Sequence, residues 1–273
     1  MREMTTRDIQ MVSLDILKDV HEFCVGHNIK YTLFSGTLIG AIRHHGFIPW
    51  DNDLDIAFTR PEYEKFVNSY ISKEGFKLFA RERQGANVYL SYSRICDMNR
   101  TYVDDSTCPW TNEAKGIWID VFVLDGADSD IKKASLFSKL NHFVWKIGML
   151  RRKSYSPLRI YKTTKDKVKC AICKLFLFWC PPAIWSWHIK LCKRIPFEKA
   201  AYYSHWAWGG WGMREYYKTS AFSEYILKPF EDSEFYVMKG YDGALRAKYG
   251  DYMTLPPEEK RVSEHQWHFY WKD

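Results

Sequence analysis

The chain has no apolar run long enough to cross a membrane. Its most apolar stretch has an uncharged core of 13 residues, Leu175 to Trp187, interrupted by Pro181-Pro182, whereas a spanning helix needs about 20. No apolar segment follows a basic opening, so no secretory leader is read in residues 1–30, which pattern as a polar amphipathic helix. Cys170 and Cys173 form a C-x-x-C, but no second pair at zinc spacing follows and no histidine cluster lies nearby. Buried thiols therefore account for the pair better than a structural zinc. Seven cysteines without a leader fit reduced thiols and a cytoplasmic setting. Internal repeats and low-complexity tracts are lacking too, which excludes solenoid and linker-rich architectures.

What is there is a large core-forming inventory. The 273 residues are 46% hydrophobic and 17% aromatic, which suits one large domain or one domain with an appended part. Forty basic residues against 33 acidic give a net charge of +7. That excess fits phosphate-bearing partners, but taken alone it is better explained by a slightly basic soluble surface.

Residues 4–28 carry Ile9, Val12, Ile16, Leu17, Val20, Phe23 and Cys24 at helical spacing, with Thr5 or Thr6 as cap. Ile29–Phe34 is a short β-prone run, stopped by Ser35-Gly36-Thr37. Leu38–Arg43 then reads as a helix closed by His44, His45 and Gly46. Further strands are expected at Leu54–Phe58, Phe76–Ala80, Val88–Ile95, Tyr102–Val103 and Ile117–Leu124, with a helix over Glu62–Ser72 behind Pro61. The last of these strands, "IWIDVFVL", is apolar enough to be buried on both faces. After Gly126 the composition shifts: residues 131–200 are helical, basic and aromatic. Their Trp-rich patch is expected to pack into a helical subdomain in preference to resting on lipid. From Ala221 short strands and a final helix follow.

The chemistry concentrates in "GFIPWDNDLDIAF", residues 46–58. Asp53 and Asp55 stand two apart, and on a strand such positions project from one face, leaving Leu54 and Ile56 for the core. Adjacent carboxylates repel unless a cation neutralises them, and oxygen donors suit Mg2+ or Mn2+. A third acid, Asp120, lies between Ile119 and Val121 in the most apolar strand, where packing alone does not explain it. If its strand neighbours the first, the three form one metal site. Asp51 reads as part of the preceding turn. Upstream, the small residues Ser35, Gly36 and Thr37 lead into a helix and can present backbone N–H groups to a phosphate. The combination suits metal-assisted transfer of a phosphate-linked group.

These segments resemble a known family. "SGTLIGAIRHHGFIPWDNDLDIAF", "KGIWIDVFVLDG" and "YGDYMTLPPEEKR" look like the LicD family of phosphocholine and related phosphoalkyl transferases, within the nucleotidyltransferase fold. The likeness covers residues 30 to 126 and the tail from about 220 to 261. Asn52 stands where many relatives have Asp. The resemblance implies an α+β fold: a nucleotidyltransferase-like mixed sheet core over 1–130, a helical aromatic-rich insertion over 131–215, and a C-terminal segment over 216–273 packing on the core. It implies transfer of a phosphorylated alcohol from a CDP-activated donor to a sugar hydroxyl of a glycan or glycolipid acceptor. Asp53, Asp55 and Asp120 then hold Mg2+ (or Mn2+), and Asp120 can also accept the acceptor's proton. Ser35, Gly36 and Thr37 form the Gly-turn, and Arg43, Arg94 and Lys115 are candidates to neutralise phosphate. A choline headgroup calls for an aromatic cage, with Trp206, Trp208, Trp211, Tyr216 and Tyr217 as candidates, although core packing accounts for most such residues.

Two other readings remain open at this level. The same carboxylates could serve transfer of a nucleoside monophosphate, with pyrophosphate released in place of CMP. A catalytically silent membrane-associated scaffold is the third, and paired buried acids argue against it. No nucleic-acid partner is expected. The expected location is cytoplasmic, with possible peripheral contact at the inner face of the membrane.

Overall fold

A computed structural model describes residues 1–84, 92–103, 114–155, 163–177, 184–206, 211–263 and 267–273, with 149–155, 166, 169, 173, 174, 176 and 177 described by backbone alone. The fold is α+β, built on a mixed sheet. Helix α1 (Thr6–Gly26) opens it, capped as expected by Thr5 in a reciprocal box with Asp8. Its buried face, including Ile9, Val12, Ile16, Leu17 and Val20, lies in the main core.

The sheet runs β1 (Thr32–Leu33), β2 (Asp55–Thr59), β6 (Ile117–Ala127), β4 (Ser93–Asp97), β3 (Lys77–Phe79) in spatial order. Strands β2 and β6 are parallel, and the other neighbours along this path are antiparallel. Helix α3 (Arg60–Ser69) leaves β2 with Pro61 in its first turn. A buried pair fixes its start to β6: Arg60 Nε and Nη2 donate to the two oxygens of Asp125 at 2.7 and 2.8 Å. Strand β5 (Thr101–Val103) pairs with β11 (Phe269–Trp271), bringing the chain's end back to the core.

Beyond β6 come the helices α5 (Ile131–Tyr155), α6 (Thr164–Leu177) and α7 (Ile184–Cys192), following the short α4 (Arg81–Gln84) earlier in the chain. The chain then returns to the sheet. Strand β7 (Tyr202–Ser204) pairs with the far end of β6, and β8 (Tyr216–Lys218) pairs with β7. The hairpin β9 (Tyr225–Phe230) and β10 (Ser233–Met238) is followed by α8 (Tyr241–Tyr249).

Several boundaries differ from the sequence expectation, for local reasons. The first strand is only Thr32–Leu33, because the amide of Ile29 bonds to the Cys24 carbonyl ending α1 and that of Lys30 to Glu62. The helix expected from Leu38 begins at Ser35, so the small-residue turn is itself the first turn of α2 (Ser35–Ile39). It continues as a wider π-helical turn, Gly40–His44. A Cβ on Gly40 would stand 2.5 Å from the Gly46 carbonyl oxygen, so only glycine lets the chain double back there. The strand expected at Val88–Ile95 is seen as Ser93–Asp97, its first residues lying outside those described. As expected, β6 is buried along nearly its whole length.

Candidate active site

Three strands bring the chemistry together. Asp55 and Asp120 are register partners across β2 and β6, and Arg94 on β4 is the partner of Asp120 on its other side. Register partners project from the same face of a sheet, so Asp55, Asp120 and Arg94 form one row. Arg94 Nε donates to Asp120 Oδ1 at 2.7 Å, and its guanidinium lies 4.1 Å from the centre of the Trp118 ring. All three side chains of the row belong to buried residues.

Asp53 stands in the segment leading into β2, and Leu54 and Ile56 are buried in the core as expected. Burial is the largest influence raising the pKa of Asp55, followed by repulsion from Asp53 and then Asp120, while Lys248 opposes the shift. Asp51 is raised too, by burial and then by the charge of Asp53, with which it shares a hydrogen bond. Asp51 closes the preceding turn as expected, its amide donating to the Ile48 carbonyl at 2.9 Å, while its carboxyl joins the carboxylate group. Asn52 turns elsewhere: its Oδ1 accepts from Ser263 Oγ at 2.8 Å. Among the described residues, no group of three His, Cys, Asp or Glu side chains stands gathered as a metal cluster.

Helix α2 closes one side. The Thr37 hydroxyl accepts from the Asp55 amide at 2.8 Å, fastening the helix to the start of β2. A Cβ on Gly36 would lie 2.9 Å from Asp51 Oδ2, so the bare backbone at this position lets the carboxylate approach. Ser35 adopts φ +48°, uncommon without glycine. Its hydroxyl accepts from Lys248 Nζ at 2.9 Å, and Tyr249 bonds to it as well.

Lys248, Glu215, His205 and Tyr249 were not legible as site residues. Lys248 Nζ donates to Glu215 Oε1 at 2.6 Å, and His205 Nδ1 is 3.6 Å from Glu215 Oε2. Burial works against ionisation of Glu215, but His205 and then Lys248 outweigh it and hold the carboxyl below its ordinary value. The one available signal was positional. Ala244, Leu245 and Lys248 form the buried face of α8, and a lysine at an apolar helical position needs a partner.

The remaining candidates lie differently. Arg43 turns to the tail, where Nη1 donates to the Tyr252 carbonyl at 2.6 Å and reaches that of Thr254 at 3.4 Å. Lys115 is half-buried just before β6, and its carbonyl accepts from the Val103 amide. Of the aromatic candidates, Trp206 is buried against Phe137 and Tyr216 stacks on Tyr202, so both pack away from any cage. Trp211 has its ring 5.0 Å from Lys248 Nζ, and Tyr217 is buried beside Phe34. Trp208 lies outside the described residues.

Comparison with known proteins places the sequence among relatives. Residues 28–157 match the model of the LicD/FKTN/FKRP nucleotidyltransferase domain. Over 273 aligned residues, covering 97% of both chains, the sequence is 32% identical to the lipopolysaccharide cholinephosphotransferase LicD of Haemophilus influenzae. Two uncharacterized proteins, from Rickettsia prowazekii and Rickettsia typhi, are each 58% identical over 47 residues, 17% of this chain.

Proposed function

The chain belongs to the LicD family, and from that premise we propose that it transfers phosphocholine from CDP-choline to a sugar hydroxyl of a cell-surface glycan or its lipid-linked precursor. It is a phosphotransferase, and the relative that matches 97% of it is a lipopolysaccharide cholinephosphotransferase. The observation that carries the assignment is the row Asp55–Asp120–Arg94 with Asp53 beside it.

The donor set suits Mg2+ or Mn2+. It offers hard oxygens, and burial and mutual repulsion raise the pKa of Asp55. We assign Asp53 and Asp55 as the residues that hold the ion, with Asp120 able to join them. A bound divalent ion would offset their repulsion and draw charge from the donor's phosphate oxygens.

The chain's own residues supply the rest. The acceptor oxygen forms a bond to the choline-bearing phosphorus as the bond from that phosphorus to CMP breaks. The hydroxyl proton passes to the carboxylate of Asp120. Arg94 orients that carboxylate from the neighbouring strand and adds positive charge beside the phosphate. Lys248 holds Ser35, and with it the start of α2, while contributing a second buried cation to the site. The setting we assign is the inner face of the membrane, where lipid-linked glycans are accessible.

The test is to incubate the protein with CDP-choline, Mg2+ and a saccharide acceptor, and to identify the nucleotide product. Phosphocholine transfer releases CMP and adds a phosphocholine mass to the acceptor. An unmodified acceptor across the candidate glycans would remove the headgroup assignment. Pyrophosphate release from a nucleoside triphosphate, with a nucleotide mass on the acceptor, would place the chain with the nucleotidyl transferases instead.

A further inference from the structure

Helix α5 has two faces of opposite use. Ala134, Phe137, Ser138 and Asn141 are buried on one. On the other, Leu136, Leu140 and Phe143 recur at helical spacing, each more than half exposed. Lys132, Lys139 and Lys146 share that outer face and are exposed as well. Helix α6 repeats the pattern: Val168, Ile172 and Leu175 are each more than half exposed, with Lys165 on the same side and Cys170 buried opposite. On α7, Trp185 is buried while Trp187 is more than half exposed. The expected core role of the Trp-rich patch thus holds for one of these two tryptophans.

The charge of this stretch of sequence is nearly all of one sign. Residues 131–192 contain fourteen Lys and Arg against a single acid, Asp166, in a chain whose net charge is only +7. The remainder of the molecule is therefore net acidic. A soluble polyanion would be met by the lysines and has no use for the apolar rows. An anionic bilayer surface uses both, with apolar side chains entering the boundary between headgroups and acyl chains and lysines meeting the phosphates. Among the described residues no helix is long and apolar enough to cross a membrane, so the helices would lie on the surface.

We propose that the outer faces of α5 and α6 dock the protein on an anionic lipid bilayer. Leu136, Leu140, Phe143, Val168, Ile172 and Leu175 are the inserted side chains. This surface is assigned from exposure and charge, and it stands or falls separately from the transfer reaction.

The experiment is co-sedimentation of the full chain with vesicles of phosphatidylglycerol and phosphatidylcholine, against vesicles of phosphatidylcholine alone. Binding to the anionic vesicles is expected to be at least about tenfold tighter, and to weaken with salt. Leu140→Glu with Phe143→Glu is expected to reduce it by about tenfold or more, with thermal unfolding of the lipid-free protein unchanged. Lys139→Glu with Lys146→Glu tests the charge in the same way and guards against misfolding of the first variant. Equal binding to both vesicle types would overturn the proposal. So would anionic binding untouched by the apolar substitutions and competed away by dextran sulfate, which would mark a polyanion site. A lipid-free dimer dissociated by the apolar substitutions would also overturn it, identifying the face as a self-association surface.

Discussion

Asp55 and Asp120 face each other across a parallel strand pair, one at the start of β2 and the other inside β6, which is buried at all but one of its positions. A sheet gains nothing from two carboxylates in register, since like charges directly opposite are destabilising. The pair therefore sets a stability cost that a bound cation would relieve. Asp55→Asn removes the repulsion, and it is expected to raise the stability of the metal-free protein by about 1 kcal/mol. Adding Mg2+ or Mn2+ is expected to raise the melting temperature of the wild type and to leave the variant nearly unmoved. Thermal unfolding of both proteins with and without metal measures this, and an equal metal shift in both would remove Asp55 from the ligand set.

Gly36 tests the approach of α2 to the acids. With Asp51 Oδ2 2.9 Å from the position of a Cβ, Gly36→Ala has to push that carboxylate aside. A loss of metal affinity of about tenfold is expected, the scale on which residues supporting ligands act. Titration calorimetry of the variant with Mn2+ would show it, and unchanged affinity would mean that Asp51 does not support the site.

The buried Lys248–Glu215 pair makes a prediction about stability. Removing one partner strands the other charge, which costs about 3 kcal/mol or more. Lys248→Met alone should therefore be strongly destabilising, and adding Glu215→Gln should recover much of the loss. Lys248→Arg should retain stability better than the methionine variant. Denaturant unfolding of the double-mutant cycle reads the coupling directly.

His188 gives the fold a pH dependence. It is fully buried, neither ring nitrogen has a hydrogen-bond partner among the described residues, and burial, with help from His205 and Arg81, lowers its pKa to about 4. An unfolded histidine takes its proton near pH 6.5, so between those values the unfolded state binds more protons. Its contribution is complete above about pH 6.5 and is lost as pH falls toward 4, amounting to about 3 kcal/mol at most. His188→Phe is expected to flatten the slope of unfolding free energy against pH in that window.

Much of this was legible because the strands are locally unambiguous. "LDIAF" and "IWIDVFVL" have the apolar content of buried strands, and an acid inside each stands out against it. What the sequence could not supply was register, since adjacency of β2 and β6 depends on a crossover through more than fifty residues of intervening chain. Arg94 was readable as a cation near phosphate, yet its hold on Asp120 follows only from the antiparallel pairing of β4 with β6. Asp51 does close the turn read for it, and the bare backbone of Gly36 leaves room for its carboxyl beside the other acids. Lys248 and Glu215 meet across 33 residues; the apolar helical position of Lys248 calls for a partner but does not say which residue supplies it. The exposed rows of α5 were hidden for the opposite reason: apolar residues on both faces of a helix read alike until burial separates them.

The central claim is that Asp53, Asp55 and Asp120 carry the transfer of phosphocholine. Its most direct test is the single-turnover rate of phosphocholine transfer from CDP-choline at saturating Mg2+, compared among the wild type, Asp55→Asn and Asp120→Asn, each shown to be folded. A loss of about a hundredfold or more is expected for both variants. Transfer at the wild-type rate in either one would contradict the account.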